Sequence, residues 1–265
     1  MRTPRPRRVA VRHAAALALV AALAFADAPA AAQRMRELPE DTPASCRAPA
    51  ATIGDPVPLV RAAAEFRRSR RLKIVAIGSS STAGGAASEP ARAWPAQLEA
   101  ALRRRLPNAE ISVANMGAVR QTSAMMVARF ARVVAERPDI VVWEVGTAEA
   151  VRHLDVDDFL RVVVNGIEQL AAAGIEVILV DPQYTRDTAR LITFEPYLAA
   201  IARAAQMRDA AHFRRFQVMR YWVDNDQFQF DGARPAEFSR IADAAYECVG
   251  RLLAHFVIAG LRIRP

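Results

Sequence analysis

The sequence of 265 residues contains few of the residue types that metal and redox sites require. It has two cysteines and four histidines, with neither a C-x-x-C pair nor a Cys/His cluster at metal-ligand spacing. We therefore expect no metal and no cofactor. The net charge is +8, but five arginines and one aspartate in residues 1–32 account for half of it. The remainder shows no clustered basic face, so a nucleic-acid partner is not expected.

The N-terminal segment has the pattern of an export signal. Five arginines precede an apolar run over residues 14–26, and small residues follow at 28–32. The run is short for a bilayer span. We expect residues 1–32 to be a cleaved signal peptide, leaving a periplasmic or extracellular protein with no later membrane span. The alternative is an uncleaved anchor. Residues 33–60 are rich in Pro and Ala and read as a linker or N-terminal arm before one domain, residues 61–265.

Export affects the interpretation of the two cysteines. An oxidising compartment allows Cys46 and Cys248 to form a disulfide. Such a bond would tie the N-terminal arm to the last predicted helix. Two separate thiols remain the alternative.

Strand and helix patterns alternate along the domain. Val- and Ile-rich strands alternating with helices predict a three-layer α/β/α sandwich, flavodoxin-like, with a central parallel sheet of about five strands. The predicted strands are 72–77, 111–114, 139–145, 176–180 and 212–216, and the predicted helices are 91–105, 123–136, 157–173, 196–211 and 236–259. In such sheets ligands bind at the carboxyl ends of the strands.

The turn after the first strand, residues 78–85, reads GSSSTAGG. A P-loop would need Gly-Lys-Ser/Thr at its end, and there is no lysine. A dinucleotide turn would need G-x-G-x-x-G, which does not fit. A turn that raises a nucleophilic serine at the strand end does fit. A Ser/Gly turn that only caps a helix is the competing interpretation.

Taken together, the turns at the strand ends resemble the SGNH (GDSL-type) hydrolase family over most of residues 72–258. IVAIGSSSTAG resembles its first block, with Ser79 in place of the aspartate and Ser80 as the nucleophile. NMG resembles the second block, with Gly117 as an oxyanion donor, and PDIVVWEVGTAE the third. FDGARP resembles the fifth block and supplies Asp231 as the triad acid. Tyr246 and Cys248 are also similar to a branch of exported members.

The resemblance implies ester hydrolysis: deacylation of a carbohydrate, lipid or cell-envelope ester outside the cytoplasm. In that mechanism Ser80 attacks the acyl carbon, and the N–H groups of Ser80 and Gly117 hold the oxyanion. The ligand would be a small molecule, a glycan or a lipid that carries an ester.

Two positions depart from the family pattern. The oxyanion asparagine of the third block is Ala148, and the histidine of the fifth block is Arg234. Arginine stays protonated and cannot accept the serine proton. We expect Asp231 to contact Arg234 instead of orienting an imidazole. The alternative function is a catalytically inactive scaffold that binds an acylated glycan or an envelope protein partner.

Two other histidines lie near predicted strands and are candidates for the missing base. His153 follows the third strand at the correct edge and could serve as a surrogate base, against a solvated residue at a helix entry. His212 belongs to a D-x-x-H match that we interpret as a decoy, because it begins a strand at the opposite edge. Glu144 lies within a buried strand, where structural hydrogen bonding is expected.

Overall fold

The computed structural model describes residues 38, 42–54 and 56–263, so the predicted signal peptide lies outside the described residues. Five strands form one sheet in the order β2-β1-β3-β4-β5, and every neighbouring pair is parallel. The predicted α/β architecture with a central parallel sheet is therefore confirmed. The strands are β1 (Arg71–Ile77), β2 (Glu110–Asn115), β3 (Ile140–Glu144), β4 (Glu176–Val180) and β5 (Ala211–Phe213).

Helices flank the sheet and connect its strands. Their bounds are α1 (Ala50–Ile53), α2 (Val60–Ser69), α3 (Trp94–Arg105), α4 (Ser123–Val127), α5 (Phe130–Ala135), α6 (Thr147–Val151), α7 (Val156–Ala172), α8 (Arg186–Leu191), α9 (Glu195–Met207), α10 (Arg215–Asp224) and α11 (Pro235–Leu261). Short 3-10 turns cover Ala44–Cys46 and Pro90–Arg92.

The core sits on both faces of the sheet, as near-continuous apolar strands require. All five residues of β3 are buried. On α7 the apolar side chains of Phe159, Val163 and Ile167 recur at helical spacing and are buried. The sequence pattern over 123–136 predicts a single helix, but the structure has two. The break lies at Arg129, which leaves helical dihedrals while its guanidinium donates to the Met116 carbonyl at 3.0 Å.

The N-terminal arm is joined to the domain. Cys46 and Cys248 form a disulfide, with their Cα atoms 4.8 Å apart, which confirms the predicted pairing. Ile53 and Leu59 are buried in the common core. The Trp222 indole N–H donates to the Arg47 carbonyl at 3.1 Å. The part of the arm from residue 42 onward therefore packs against the domain, apart from residue 55, which is not described.

Helix α11 is long and apolar, although no membrane span is expected after residues 1–32. It has 27 residues and a mean hydropathy of 1.3, so by length and composition it could cross a membrane. In the fold, however, 83% of its most apolar window is buried inside the protein. Its apolar composition follows from packing against α3 and the disulfide-linked arm.

Candidate active site

The chain reverses its direction of travel across the sheet between β1 and β3. From β1 it moves outward to β2 and then returns to β3 on the other side of β1. Such a reversal opens a crevice at the carboxyl ends of the two central strands. Ser79 and Ser80 follow β1, and Ala148 follows β3. The residues predicted to matter therefore lie at the edge where ligands bind in this class of sheet.

Ser80 lies in a tight turn at the end of β1. Its carbonyl accepts the Gly85 N–H at 2.8 Å, and the Ser79 carbonyl accepts the Ala83 N–H at 3.0 Å. The side chain of Ser80 is half-buried. Its Oγ accepts a hydrogen bond from the Arg120 backbone N–H at 3.3 Å. The turn therefore presents the hydroxyl at the crevice, as a nucleophile turn would.

Glu144, the last residue of β3, holds this turn in place. Its carboxylate is fully buried, and Oε2 accepts hydrogen bonds from the Ser79 N–H at 2.8 Å and from Thr82 Oγ1 at 3.0 Å. Oε1 accepts from Thr147 Oγ1 at 2.6 Å. The expected structural role of Glu144 is confirmed by these contacts. Ser79, at the family's aspartate position, contributes its backbone N–H to this network.

Arg215 is a buried cation that the sequence analysis missed. It is fully buried at the start of α10, where Nε donates to the Asp181 carbonyl at 2.9 Å and Nη1 to Ser81 Oγ at 3.1 Å. Its Nη2 lies 3.6 Å from Glu144 Oε1. The Asp181 carboxylate in turn lies 2.6 Å from His212 Nε2. His212 therefore lies level with the carboxyl end of β4, where its ring contacts Asp181, and the prediction that placed it at the opposite edge is wrong.

Gly117 occupies a place where two backbones meet. A Cβ at this position would lie 2.5 Å from Ala83 N and 2.7 Å from the Thr82 carbonyl carbon, so only glycine fits. Its own N–H donates to Asn115 Oδ1 at 2.9 Å. Gly117 therefore lets the loop after β2 approach the Ser80 turn, while its N–H is already bonded.

The N–H that faces Ser80 belongs to Arg120, which the sequence analysis also missed. Arg120 has a φ of +60°, a left-handed conformation that favours glycine. Its carbonyl accepts a hydrogen bond from Arg152 Nη2 at 2.9 Å, which ties the loop to the end of α6. No local pattern in the sequence marks this residue, since an arginine in a loop reads as a solvated side chain.

The third turn lacks a donor and holds a buried acid. Ala148 is buried, and its methyl group offers no hydrogen bond to an oxyanion. The neighbouring Glu149 is also buried, and its Oε1 accepts the Ser123 backbone N–H. Its Oε2 has no hydrogen-bond partner among the described residues. Burial raises the pKa of the Glu149 carboxyl above its usual value, partly offset by the bond to Ser123.

The fifth-block acid pairs with an unexpected arginine. Asp231 Oδ2 lies 3.5 Å from Arg186 Nη1, so the ion pair that the structure gives Asp231 is with Arg186 and not with Arg234. The prediction of an Asp231–Arg234 contact is therefore wrong. Arg186 is held in place by a bond from its Nη2 to the Val223 carbonyl at 2.9 Å. Arg234 is exposed and immediately precedes α11.

His153 lies on the surface just beyond α6. It is exposed and has a φ of +52°. Over residues 42–54 and 56–263, the hydrogen bond that the structure gives Ser80 Oγ comes from Arg120 and not from an imidazole. The same ranges contain no group of three or more His, Cys, Asp or Glu side chains placed to hold a metal ion.

A serine at the end of the first strand of a five-stranded parallel sheet, in contact with the loop after β2, is typical of an SGNH-type α/β hydrolase fold. More narrowly, the chain belongs to the non-GDSL lipase-like family, whose sequence model matches residues 45–263. The resemblance to SGNH hydrolases is confirmed. No curated protein sequence matches the chain.

Solved structures of esterases share this fold. One is a two-domain esterase (CEX) active on acetylated mannans, with a TM-score of 0.63 and 19% identity over 80% of this chain and 57% of that one. The chain thus spans little more than half of that protein. Another is a catalytic mutant of Axe2, an acetylxylan esterase from Geobacillus stearothermophilus. Its TM-score is 0.57 and its sequence identity 18%, over 73% of this chain and 95% of that one. AlinE4, an SGNH-hydrolase family esterase, has a TM-score of 0.51 and 21% sequence identity over 62% of this chain and 86% of that one.

Proposed function

We propose that this protein is an exported, ester-binding member of the SGNH hydrolase fold that has lost Ser–His catalysis. Its ligand is an acylated carbohydrate, a lipid or another cell-envelope ester, bound with the acyl group at Ser80. The observation that carries the proposal is the state of the fifth block. There Arg234 stands where the base belongs, and Asp231 is paired with Arg186.

The chemistry of the residues supports loss of turnover. A serine hydroxyl is a weak nucleophile unless an adjacent base takes its proton, and a guanidinium cannot do so. Removing one triad member typically lowers kcat by roughly 10⁴- to 10⁶-fold. Replacement of the asparagine by Ala148 removes one oxyanion donor, which typically costs a further ~10²–10³-fold.

The remaining groups suit binding. The Arg120 N–H and the Ser80 hydroxyl can both donate to an ester carbonyl. Glu144 fixes the turn that holds Ser80, and Arg152 holds the loop that carries Arg120. Export rests on the pattern of residues 1–32, and the disulfide supports an oxidising compartment.

Fluorophosphonate labelling of the mature protein tests this proposal, with the Ser80→Ala variant beside it and an active esterase as the positive control. We expect no labelling of wild type above the Ser80→Ala background. We also expect calorimetry to detect binding of acetylated oligosaccharides or lipid esters. The same ligands without their acyl groups should not bind. Labelling that vanishes in Ser80→Ala would overturn the loss of catalysis, and absence of binding to every ester would overturn the ligand assignment.

A second candidate is an active ester hydrolase with His153 as the base. The hydrogen bond from Arg152 to the Arg120 carbonyl favours this candidate. Arg152 directly precedes His153, and Arg120 lies in the loop that contacts Ser80. In that case labelling would be present in wild type and abolished in both Ser80→Ala and His153→Ala.

A further inference from the structure

Exposed apolar side chains are concentrated beside the candidate site. The described residues expose eight large apolar side chains, and four of them lie on two short segments, residues 119–125 and 151–154. These four are Val119, Met125, Val151 and Leu154, which are 63%, 46%, 52% and 41% exposed. Scattered apolar residues are normal on a surface, but a concentration of them marks an interaction site. We call the two segments together the rim.

The two segments of the rim form one surface next to Ser80. Arg152 on the second segment donates to the carbonyl of Arg120 on the first. Glu149, just before the second segment, accepts the backbone N–H of Ser123. The Arg120 N–H in turn donates to Ser80 Oγ. Any surface that covers the rim therefore lies against the crevice that holds Ser80.

The rim is also cationic. The guanidinium of Arg120 is exposed and has no partner within residues 42–54 and 56–263. Arg152 adds a second positive charge. Residues 119–125 and 151–154 contain no acid. Beside them, Glu149 is buried, whereas Asp155 is exposed and keeps its negative charge while it accepts the Asp158 N–H at the start of α7. The remaining acids there are exposed Asp157 and Asp158, and Asp158 is paired with Arg161.

Arg120 is one of several described arginines with a left-handed backbone. A left-handed conformation is unfavourable for a residue other than glycine, and glycine would adopt it without strain. The N–H that faces Ser80 would be present in either residue. What arginine adds at this position is an unpaired positive charge at the mouth of the crevice.

We propose that the rim docks on an anionic lipid surface. The apolar side chains enter the headgroup region, and Arg120 and Arg152 lie among the lipid phosphates. Docking in this orientation brings lipid esters to Ser80, so the lipid becomes the ligand class within the proposed function. The inference rests on that function only in assigning the ester to Ser80, because docking itself requires no turnover.

Vesicle co-sedimentation of the mature protein tests the proposal. The vesicles are phosphatidylcholine alone, or phosphatidylcholine with about one third phosphatidylglycerol. We expect strong binding only to the anionic vesicles, weakened by salt. The Val119→Ser/Val151→Ser variant should lose at least about tenfold in affinity. Arg120→Gly should lose about fivefold, specifically on anionic vesicles.

Matched controls lie at the opposite edge of the sheet. Val60 is 65% exposed at the start of α2, beside Arg61, whose N–H donates to Glu176 at the first position of β4. Val60→Ser should bind vesicles like wild type, as should Arg104→Gln on the exposed last turn of α3. All of these side chains are exposed, so none of the variants should melt below wild type, and Arg120→Gly is free of the left-handed strain at that position.

Several outcomes would overturn the inference. Equal binding to neutral and anionic vesicles would remove the role of charge, and equal losses in Val60→Ser would remove the role of the rim. If no vesicle is bound while calorimetry still detects a water-soluble ester, the docking proposal fails and the proposed function stands. If vesicles are bound but no ester is, the proposed function fails and docking stands. Ser80→Ala should dock normally.

Discussion

Replacement of Glu144 by glutamine tests how the turn that carries Ser80 is held. Glu144 and Arg215 are both fully buried, and Arg215 Nη2 lies 3.6 Å from Glu144 Oε1. In Glu144→Gln the guanidinium keeps only neutral partners, the Asp181 carbonyl and Ser81 Oγ. Removing one partner of a buried ion pair costs about 3–5 kcal/mol.

The amide of glutamine moderates that cost. Its oxygen can still accept from the Ser79 N–H and Thr82 Oγ1, which now bond Oε2 of Glu144. We therefore expect the lower end of the range, a loss of about 3 kcal/mol in the free energy of unfolding. Urea unfolding at pH 7 measures it, as a lower midpoint with an unchanged slope. A loss below about 0.5 kcal/mol would refute the reasoning, because the pair would then not be coupled to the fold.

A double-mutant cycle isolates the pair from its surroundings. Arg215→Met leaves the Glu144 carboxylate buried without its cation, so this single variant should also be strongly destabilised. The double variant removes both charges, and its loss should be smaller than the sum of the two single losses by at least about 1 kcal/mol. Additive losses would contradict the coupling.

Three further predictions concern stability. Cys46→Ser should lower the free energy of unfolding by about 2–5 kcal/mol, because the disulfide with Cys248 closes a loop with a sequence separation of 202 residues; a reductant should destabilise wild type and leave this variant unchanged. Glu149→Gln should gain stability relative to wild type as pH rises. Burial raises the pKa of the folded carboxyl, so the unfolded chain loses its proton first and wild type weakens from about pH 4 upward, until the folded pKa is passed. A difference independent of pH, in denaturation followed between pH 4 and pH 8, would contradict this. Gly250→Ala should destabilise by about 1–3 kcal/mol in thermal unfolding, because its Cβ would lie 2.6 Å from the Gln97 carbonyl carbon and push α11 away from α3; an unchanged melting temperature would show that the helices yield freely.

The order of elements and the place of Ser80 could be predicted because local signals carry them. Buried Val/Ile strands define a parallel sheet, and a Ser/Gly turn at a strand end has few alternatives. The break at Arg129 could not be predicted, because apolar spacing continues through it and only the bond to the Met116 carbonyl distinguishes the two helices.

The site was predicted less completely, for a physical reason. From the sequence alone, Arg186 and Arg234 are equivalent as ion-pair partners for Asp231. Only the path of the loops in the fold decides between them. Arg120 is a lone arginine in a loop and Arg215 follows Arg214, and neither pattern predicts burial or a contact with the site. One presents its backbone to Ser80 and the other is fully buried, and both facts depend on contacts between segments distant in sequence.

The disulfide between Cys46 and Cys248 makes most of the domain a covalent ring. All five strands and the Ser80 turn lie within it. A single proteolytic cut anywhere inside the ring opens it but leaves the two parts of the chain attached to each other. A nicked molecule should therefore keep its full mass on a non-reducing gel and separate into two fragments only after reduction. One cut inside the ring therefore need not release any part of the site.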